Sequence, residues 1–415
     1  MTEKHQTAHR SHSSGKRKSD PAAGDSYHYI DTPDALRSLC REWRRVSRLA
    51  LDTEFVGEDS FVAKLELIQV SAGEMDAVID VPAVGALDSF AELLADGDIL
   101  KVVHAGMQDV ELLHAHAGQA PIPLFDTQVA AAMVGYGTQV GYANLVQRVL
   151  GVKLDKGHTL TNWTQRPLSD EQLQYAMADA RYLLPLHDHL VHRLKTLGRL
   201  EWVKEEFQRL EARPFDGSRD PRERYRRIRG WDNLRPQAVA LLRELTAWRE
   251  EEARRRNVPR GRIVRDDVLL ELARQAPTTL TALRGLRGLH PGEVDRSANA
   301  LLGHITRALA LPSSEWPTVP KSRRAEPEAV GVVELLNAVL KARAEEVKIA
   351  PSLLATTGDL QALAEAKQGR DRLDLPLLQG WRRKLAGDLL LSVLDGGCAV
   401  SIDPHSGKLR LSRSS

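Results

Sequence analysis

Leu49-Ala-Leu-Asp-Thr-Glu-Phe-Val56 is the stretch from which the rest of the chain is read. Its apolar residues surround two acids, the pattern of a buried strand with a polar centre. Side chains alternate along a strand, so Asp52 and Glu54 emerge on one face and Leu51, Thr53 and Phe55 on the other. Unpaired buried carboxylates are costly. A hard divalent cation such as Mg²⁺, which takes carboxylate oxygens, offsets that cost. By itself an Asp-x-Glu triplet reads first as two acids on an exposed strand face. Two further acidic motifs downstream change the reading.

Around this strand the pattern is that of an α/β unit. Order is expected from Tyr29-Ile30, followed by a helix-start signal at Asp31-Thr32-Pro33-Asp34 and a helix through Leu36, Leu39 and Trp43. Leu65–Ser71 and Asp76–Asp80 read as strands joined to the first by short connections, an antiparallel meander. Strands at Ile99–His104 and Ile122–Asp126 then alternate with helices at Gln108–Ala117, Thr127–Val134, Tyr142–Leu150 and Asp170–Leu197. The expected fold is a mixed sheet, three antiparallel strands then parallel ones, with helices on its faces.

After Gly198 the character changes. Residues 200–220 read as a polar, basic connector, and Arg224–Leu309 and residues 330–397 as all-helical. Between them Pro312, Pro317, Pro320 and Pro327 mark a linker. The helical stretches resemble a repeat, with Pro259 and Pro351, and Asp267 and Asp359, each 92 residues apart. Cys398–Ile402 and Lys408–Leu411 suggest a terminal hairpin. The expected organisation is a disordered tail at 1–25, an α/β domain at 26–212, a helical domain at 222–310, a linker at 311–329, and a second, divergent helical domain with the hairpin at 330–415.

Of 415 residues, 42% are hydrophobic and 27% charged, which fits a soluble globular protein. No apolar run reaches the roughly 20 residues of a membrane-spanning helix, and no signal peptide is recognisable. Cys40 and Cys398 support neither a thiol metal site nor a disulfide framework, so a reducing cytoplasm is expected. Net charge is +2 but segregated: Tyr27–Gly198 holds 14 Lys/Arg against 23 Asp/Glu, and Arg213–Arg265 holds 16 against 8. The basic stretch suits a polyanion partner. It reads equally as helices paired within themselves, Glu250 with Arg254 and Glu251 with Arg255.

The second acidic motif is Val103-His104-Ala-Gly-Met-Gln-Asp109, a strand end, a tight turn and an acid in the first helical turn. The third is Tyr175-Ala-Met-Ala-Asp179, whose spacing of four places phenol and carboxylate on one helix face. Each alone reads as ordinary structure. Together Asp52, Glu54, Asp109 and Asp179 supply enough oxygens for two Mg²⁺ or Mn²⁺ ions, the arrangement used for in-line attack on phosphodiesters. Tyr175 would orient the nucleophilic water. His187, His189 and His192 do not stack as i,i+4 ligands and read as solvated histidines.

Asp52-Thr-Glu54, His104-x4-Asp109 and Tyr175-x3-Asp179 resemble, in order and spacing, the three exonuclease motifs of the DEDD superfamily, tyrosine subclass. Leu67-Ile-Gln-Val70, Phe125-Asp-Thr127 and Trp163-Thr-Gln-Arg-Pro-Leu168 narrow the resemblance to the ribonuclease D family. The two helical stretches resemble helicase-and-RNase-D C-terminal (HRDC) domains. This resemblance implies a ribonuclease-H-like fold, dependence on two Mg²⁺ or Mn²⁺ ions, and 3′→5′ removal of nucleotides from structured RNA precursors, including transfer-RNA 3′ ends. Asn162 stands where the family often has an acid, so no auxiliary carboxylate is expected there. Phe55, Gln69 and His104 are expected to line the substrate groove, although core packing explains Phe55 equally. Arg254, Arg255 and Arg256 are expected to contact phosphates. A monomer is the default, with no membrane partner. A DNA exonuclease and a non-catalytic nucleic-acid-binding protein are the alternatives. A fragment ending near Arg213 is expected to cleave short oligonucleotides while holding long RNA poorly.

Overall fold

Six strands form one sheet: β1 His28–Ile30, β2 Arg48–Val56, β3 Lys64–Ser71, β4 Ala77–Asp80, β5 Leu100–Val103 and β6 Leu124–Asp126. The structure, a computed structural model, describes residues 27–57, 59–154, 161–213, 220–319, 327–366 and 368–413. The tail at 1–25 and part of the proline-rich linker lie outside these. Across the sheet the order is β1-β4-β3-β2-β5-β6, which places β2 next to the middle. β2, β3 and β4 run antiparallel in sequence, and β5 and β6 are parallel additions on the other side of β2. β1 adds a parallel edge to β4. Three residues are too few to show a period, so this strand carries no signal in the sequence.

Alternation gives the sheet two cores. Leu49, Leu51, Ile68, Val70, Ile79 and Val103 pack with Leu36, Trp43, Phe90 and Leu93, from the Pro33–Trp43 and Asp88–Leu94 helices. On the opposite face Ala50, Leu67, Val78 and Val102 join Ala176, Met177, Leu183 and Leu186. Each fully buried Leu or Ile contributes about 1.5–3 kcal/mol by removal from water. Asp52 and Glu54 belong to this second face, at its margin.

The second core does not end with the α/β unit. It continues through Leu336, Val339, Leu340, Leu354, Leu363, Leu377 and Leu390 of the C-terminal helices. The region read as a polar connector is in fact the joint. Leu200–Glu211 is a helix that buries Val203 and Phe207. Its apolar positions 200, 203, 207 and 210 follow the helical period, but five charged residues between them mask it. Arg199, only 9% exposed, donates to the carbonyls of Met133 at 2.7 Å and Lys348 at 3.0 Å, and also to that of Val347. The Ala350 N–H donates to the Ala132 carbonyl at 2.9 Å. Trp202 stacks on Trp381 with centroids 5.3 Å apart, and Arg382 pairs with Glu206 at 2.6 Å.

These contacts revise the expected behaviour of a fragment ending at Arg213. It would leave the apolar faces around Met133, Trp202 and Leu210 uncovered. Such a fragment is expected to aggregate or bind a hydrophobic dye when expressed alone. Recovery of a soluble, cooperatively melting fragment would count against the shared core.

The first helical unit has its own core, built on Tyr225, Leu241, Leu245, Leu269, Leu272, Leu301 and Ile305. It touches the sheet domain through the loop after β2. Asn257, at φ 48°, accepts the Phe61 N–H on its side-chain oxygen at 3.3 Å. Arg262 pairs with Asp59, and Arg260 and Arg254 lie over the Phe61 ring at 4.3 and 5.5 Å. The helix expected over Asp170–Leu197 is two, Asp170–Arg181 and Leu183–Thr196, joined at Tyr182. A terminal hairpin, β7 Cys398–Ile402 with β8 Leu409–Arg413, closes the chain.

Candidate active site

Asp52 lies opposite Gln69 and Glu54 opposite Leu67 in the β2–β3 ladder, and the register then shifts between Glu54 and Phe55. The shift is a bulge; bulges bend and twist a strand where it ends. Asp179 arrives from the Asp170–Arg181 helix, whose start is fixed by a capping box between Ser169 and Gln172. Asp52, Glu54 and Asp179 each offer an oxygen, all within 4.8 Å of one another. Burial first, and mutual repulsion second, raises these carboxyls: Asp52 well above its ordinary value and Glu54 to about 8. Burial alone pushes Asp179 up to about 6. Carboxylate oxygens gathered this closely, with their charge disfavoured by burial and mutual repulsion, are a hard donor set that suits a divalent cation.

Asp109 stands beside this trio rather than within it. It opens the Met107–Ala117 helix and accepts the Thr53 hydroxyl. Burial pushes its carboxyl up to about 6, and it is the first of the charges acting on Asp52. Thr53 went unrecognised in the sequence because alternation turns it away from Asp52 and Glu54. The one signal in the sequence is a hydroxyl within a largely apolar run; the structure leaves it 5% exposed.

The turn that delivers Asp109 is held by a residue in the Phe125-Asp-Thr motif. Asp126, 2% exposed, accepts the backbone N–H groups of Ala105 and Gly106 at 3.1 Å, Gln128 at 2.8 Å and Val129 at 3.3 Å. Ala105 sits at φ 53°, and a Cβ on Gly106 would stand 2.5 Å from the Val103 side chain. The turn therefore requires both the glycine and the acceptor. Asp126→Ala would strand several buried donors and is expected to cost about 3 kcal/mol or more. The Tm checks this, and an unchanged Tm would remove Asp126 from the account.

Tyr175 is half-buried, its ring 6.4 Å from that of Trp163 and nearly parallel at 27°. Arg166 holds the Trp163 loop down: it donates to the Trp163 carbonyl at 2.6 Å and pairs with Asp80 at 2.5 Å and Glu66 at 3.4 Å. Tyr142 fixes the joint below Asp179. Its hydroxyl donates to the Ala178 carbonyl at 3.0 Å and accepts the Tyr182 N–H at 3.2 Å.

The expected groove residues separate. Phe55 is half-buried at the end of β2. Gln69 is fully buried, its carboxamide without a hydrogen-bond partner among the described residues, so it does not line an open groove. His104 has Nδ1 2.9 Å from the Thr127 hydroxyl and Nε2 3.0 Å from the Val140 carbonyl; it ties β5 to the loop before the Tyr142 helix. Arg254 covers Phe61. Arg255 is exposed and pairs with Glu252 at 2.5 Å. Arg256 is engaged by Glu293 at 2.8 Å and also by Glu252, and its fork is not open to a phosphate. The expected pairs Glu250–Arg254 and Glu251–Arg255 are replaced: Glu250 takes Arg260 at 2.7 Å and Arg224 at 2.9 Å. His187 and His189 are only partly exposed, and each has a partner in the fold. His187 packs edge-on to Phe125 at 4.6 Å, burial lowering its pKa, and His189 meets the Tyr136 hydroxyl at 2.9 Å.

The raised carboxyls set a pH dependence for the metal-free protein. A folded-state pKa above the unfolded one means that the folded chain holds more protons between the two values, so stability falls as pH rises through that window. For Glu54 the window runs from 4.5 to about 8. In EDTA the Tm is expected to drop between these limits, less steeply in Asp52→Asn, and Mg²⁺ should restore it at the upper end. Parallel Tm curves for the two proteins would refute the coupling.

Residues 27–195 match the family model described as 3′-5′ exonuclease, and residues 238–305 that of the HRDC domain. The chain is 38% identical over 389 residues to Ribonuclease D of Granulibacter bethesdensis, covering 92% of this chain and 95% of that protein. It is 40% identical over 370 residues to Ribonuclease D of Pseudomonas paraeruginosa, covering 88% and 97%. Among solved structures it is similar to Escherichia coli RNase D, described as an exoribonuclease involved in structured RNA processing. That match has a TM-score of 0.79 at 32% identity, covering 89% of this chain and 99% of that one.

Proposed function

This chain belongs to the ribonuclease D family and is a 3′-5′ exoribonuclease, and from that premise we propose how its residues do the work. Asp52, Glu54, Asp109 and Asp179 hold two divalent ions, Mg²⁺ or Mn²⁺. The observation that carries this is the approach of three half-buried carboxylates, each offering an oxygen within 4.8 Å of the others and each with a raised proton affinity. Bound there, such ions supply an activated water and charge stabilisation for the leaving oxygen.

The chain's own residues supply position. Tyr175, braced by Trp163, directs its hydroxyl at the attacking water and holds it in line with the terminal phosphodiester. Thr53, through its hydroxyl, fixes the Asp109 carboxylate beside the trio. Phe55, at the bulged end of β2, offers a face for the terminal base. His104 and Asp126 act through the β5 turn and touch no substrate. The substrates are structured RNA precursors, transfer-RNA 3′ ends among them. This part rests on the family and on the structured-RNA processing in which the Escherichia coli enzyme is involved. Among the described residues no helix is long and apolar enough to cross a membrane. We take the protein to act as a monomer in the cytoplasm.

Labelled RNA and DNA of equal sequence, incubated with Mg²⁺, Mn²⁺ or EDTA, test the reading. Stepwise shortening of RNA from the 3′ end with either metal, and none in EDTA, is expected. Undiminished cleavage in EDTA would overturn the metal assignment.

A further inference from the structure

Every residue of β3 after Lys64 is buried, and one of them is a glutamine. Gln69 is 0% exposed, and neither the nitrogen nor the oxygen of its carboxamide has a hydrogen-bond partner among the described residues. A buried amide left unmatched destabilises a fold, and a methionine of similar length would avoid that cost. A buried polar group of this kind calls for a reason beyond packing. Direct contact with RNA is not that reason, because no part of the side chain reaches the surface.

The ladder shows what Gln69 faces. Directly opposed residues of antiparallel strands point to the same side of the sheet, with Cβ atoms about 4.5–5.5 Å apart. Asp52 opposes Gln69 on β2, and Val78 opposes it on β4. Along β3 itself, Leu67 and Ser71 share its face. Ala176 and Met177 pack on that face from the Asp170–Arg181 helix. Leu67, Val78, Ala176 and Met177 offer no hydrogen-bonding side chain. Ser71 stands opposite Ala50, away from the end of β2 that carries Glu54. Asp52 is thus the carboxylate that the sheet register presents to the buried amide.

We propose that Gln69 is a positioning residue for Asp52, an assignment that rests on Asp52 being a cation ligand. In the loaded enzyme its carboxamide N–H donates to the Asp52 carboxylate and holds it in the orientation in which it is a ligand. Carboxylates that bind metals are themselves held by hydrogen bonds from behind, and a neutral amide supplies one without adding charge to a crowded site. Gln69 acts through Asp52 alone and touches neither RNA nor the attacking water.

The test uses the full chain and measures Mn²⁺ binding by calorimetry in the absence of RNA. Gln69→Met keeps the length of the side chain and removes the donor, and Gln69→Leu is a second apolar replacement. In EDTA the Tm of both should hold or rise, because an unmatched buried amide is gone. Affinity for Mn²⁺ should fall by roughly 10- to 100-fold, the usual effect of removing a group that orients a metal ligand. Hydrolysis lost at limiting Mg²⁺ should return as Mg²⁺ is raised, with KM for RNA at saturating metal unchanged. Because the effect passes through Asp52, adding Gln69→Met to Asp52→Asn should weaken Mn²⁺ binding by less than about twofold further. Wild-type Mn²⁺ affinity in both apolar variants would overturn the proposal. A Tm lowered in EDTA in both would also overturn it, making the carboxamide part of the fold, as would a full further loss on top of Asp52→Asn. Wild-type Mn²⁺ affinity in Asp52→Asn alone would instead remove Asp52 from the ligands, and this proposal with it.

Discussion

Asp52→Asn and Asp179→Asn are each expected to lose hydrolysis by at least about 10³-fold, beyond the usual cost of removing one charge-stabilising donor from a reaction centre. Neither should unfold the protein. Asp52 and Asp179 sit among like charges, and burial disfavours their ionised forms. Amide replacement relieves repulsion in the metal-free state, so the Tm in EDTA at neutral pH should hold or rise. Loss of activity with a retained or raised Tm separates a metal ligand from a structural acid. Near wild-type rates at saturating Mg²⁺ in either variant would defeat the assignment.

Tyr175→Phe has the second-largest expected effect. The ring keeps its stack on Trp163 while the hydroxyl is lost. If that hydroxyl orients the water, kcat should fall by roughly 10²-fold, the range of a positioned proton-bearing group. KM for RNA and the Mg²⁺ dependence should stay close to wild type. A matching loss of metal affinity would mean that Tyr175 shapes the site rather than the reaction. The same comparison in Trp163→Leu should reproduce part of the fall, because the ring would lose its brace.

The acids were legible because each motif is local. Two residues along a strand, or four along a helix, fix which side chains share a face, and Asp52 with Glu54 and Tyr175 with Asp179 are such pairs. Asp109 was legible as an acid at a helix start, but not its tether to Thr53, which depends on a contact 56 residues away in sequence. Asp126 is of the same kind: its partners at Ala105 and Gly106 lie on the neighbouring strand's turn. The arginines misled for a related reason. Spacing along a helix suggested Glu250 with Arg254, but tertiary packing presents Arg224 and Arg260 to that carboxylate instead. Gln69 reads as a groove residue by its place in the Leu-Ile-Gln-Val run, and the sheet buries it. The Leu200–Glu211 helix was hidden by its charges: a stripe of four apolar positions facing another domain looks, in composition, like a linker.

The core that runs from Ala50 to Leu390 also bears on when the enzyme comes into being. A chain emerging from the ribosome presents all five proposed active-site residues long before the segment that completes the sheet's second face. At roughly 5–20 residues per second, translation from Arg213 to Leu390 takes on the order of 10–40 s. Throughout that interval the Tyr175–Asp179 helix and its neighbours lack part of their packing, and closure waits on contacts far apart in sequence. A nascent chain that has already presented its acids therefore still lacks part of the packing behind the helix that carries Tyr175 and Asp179.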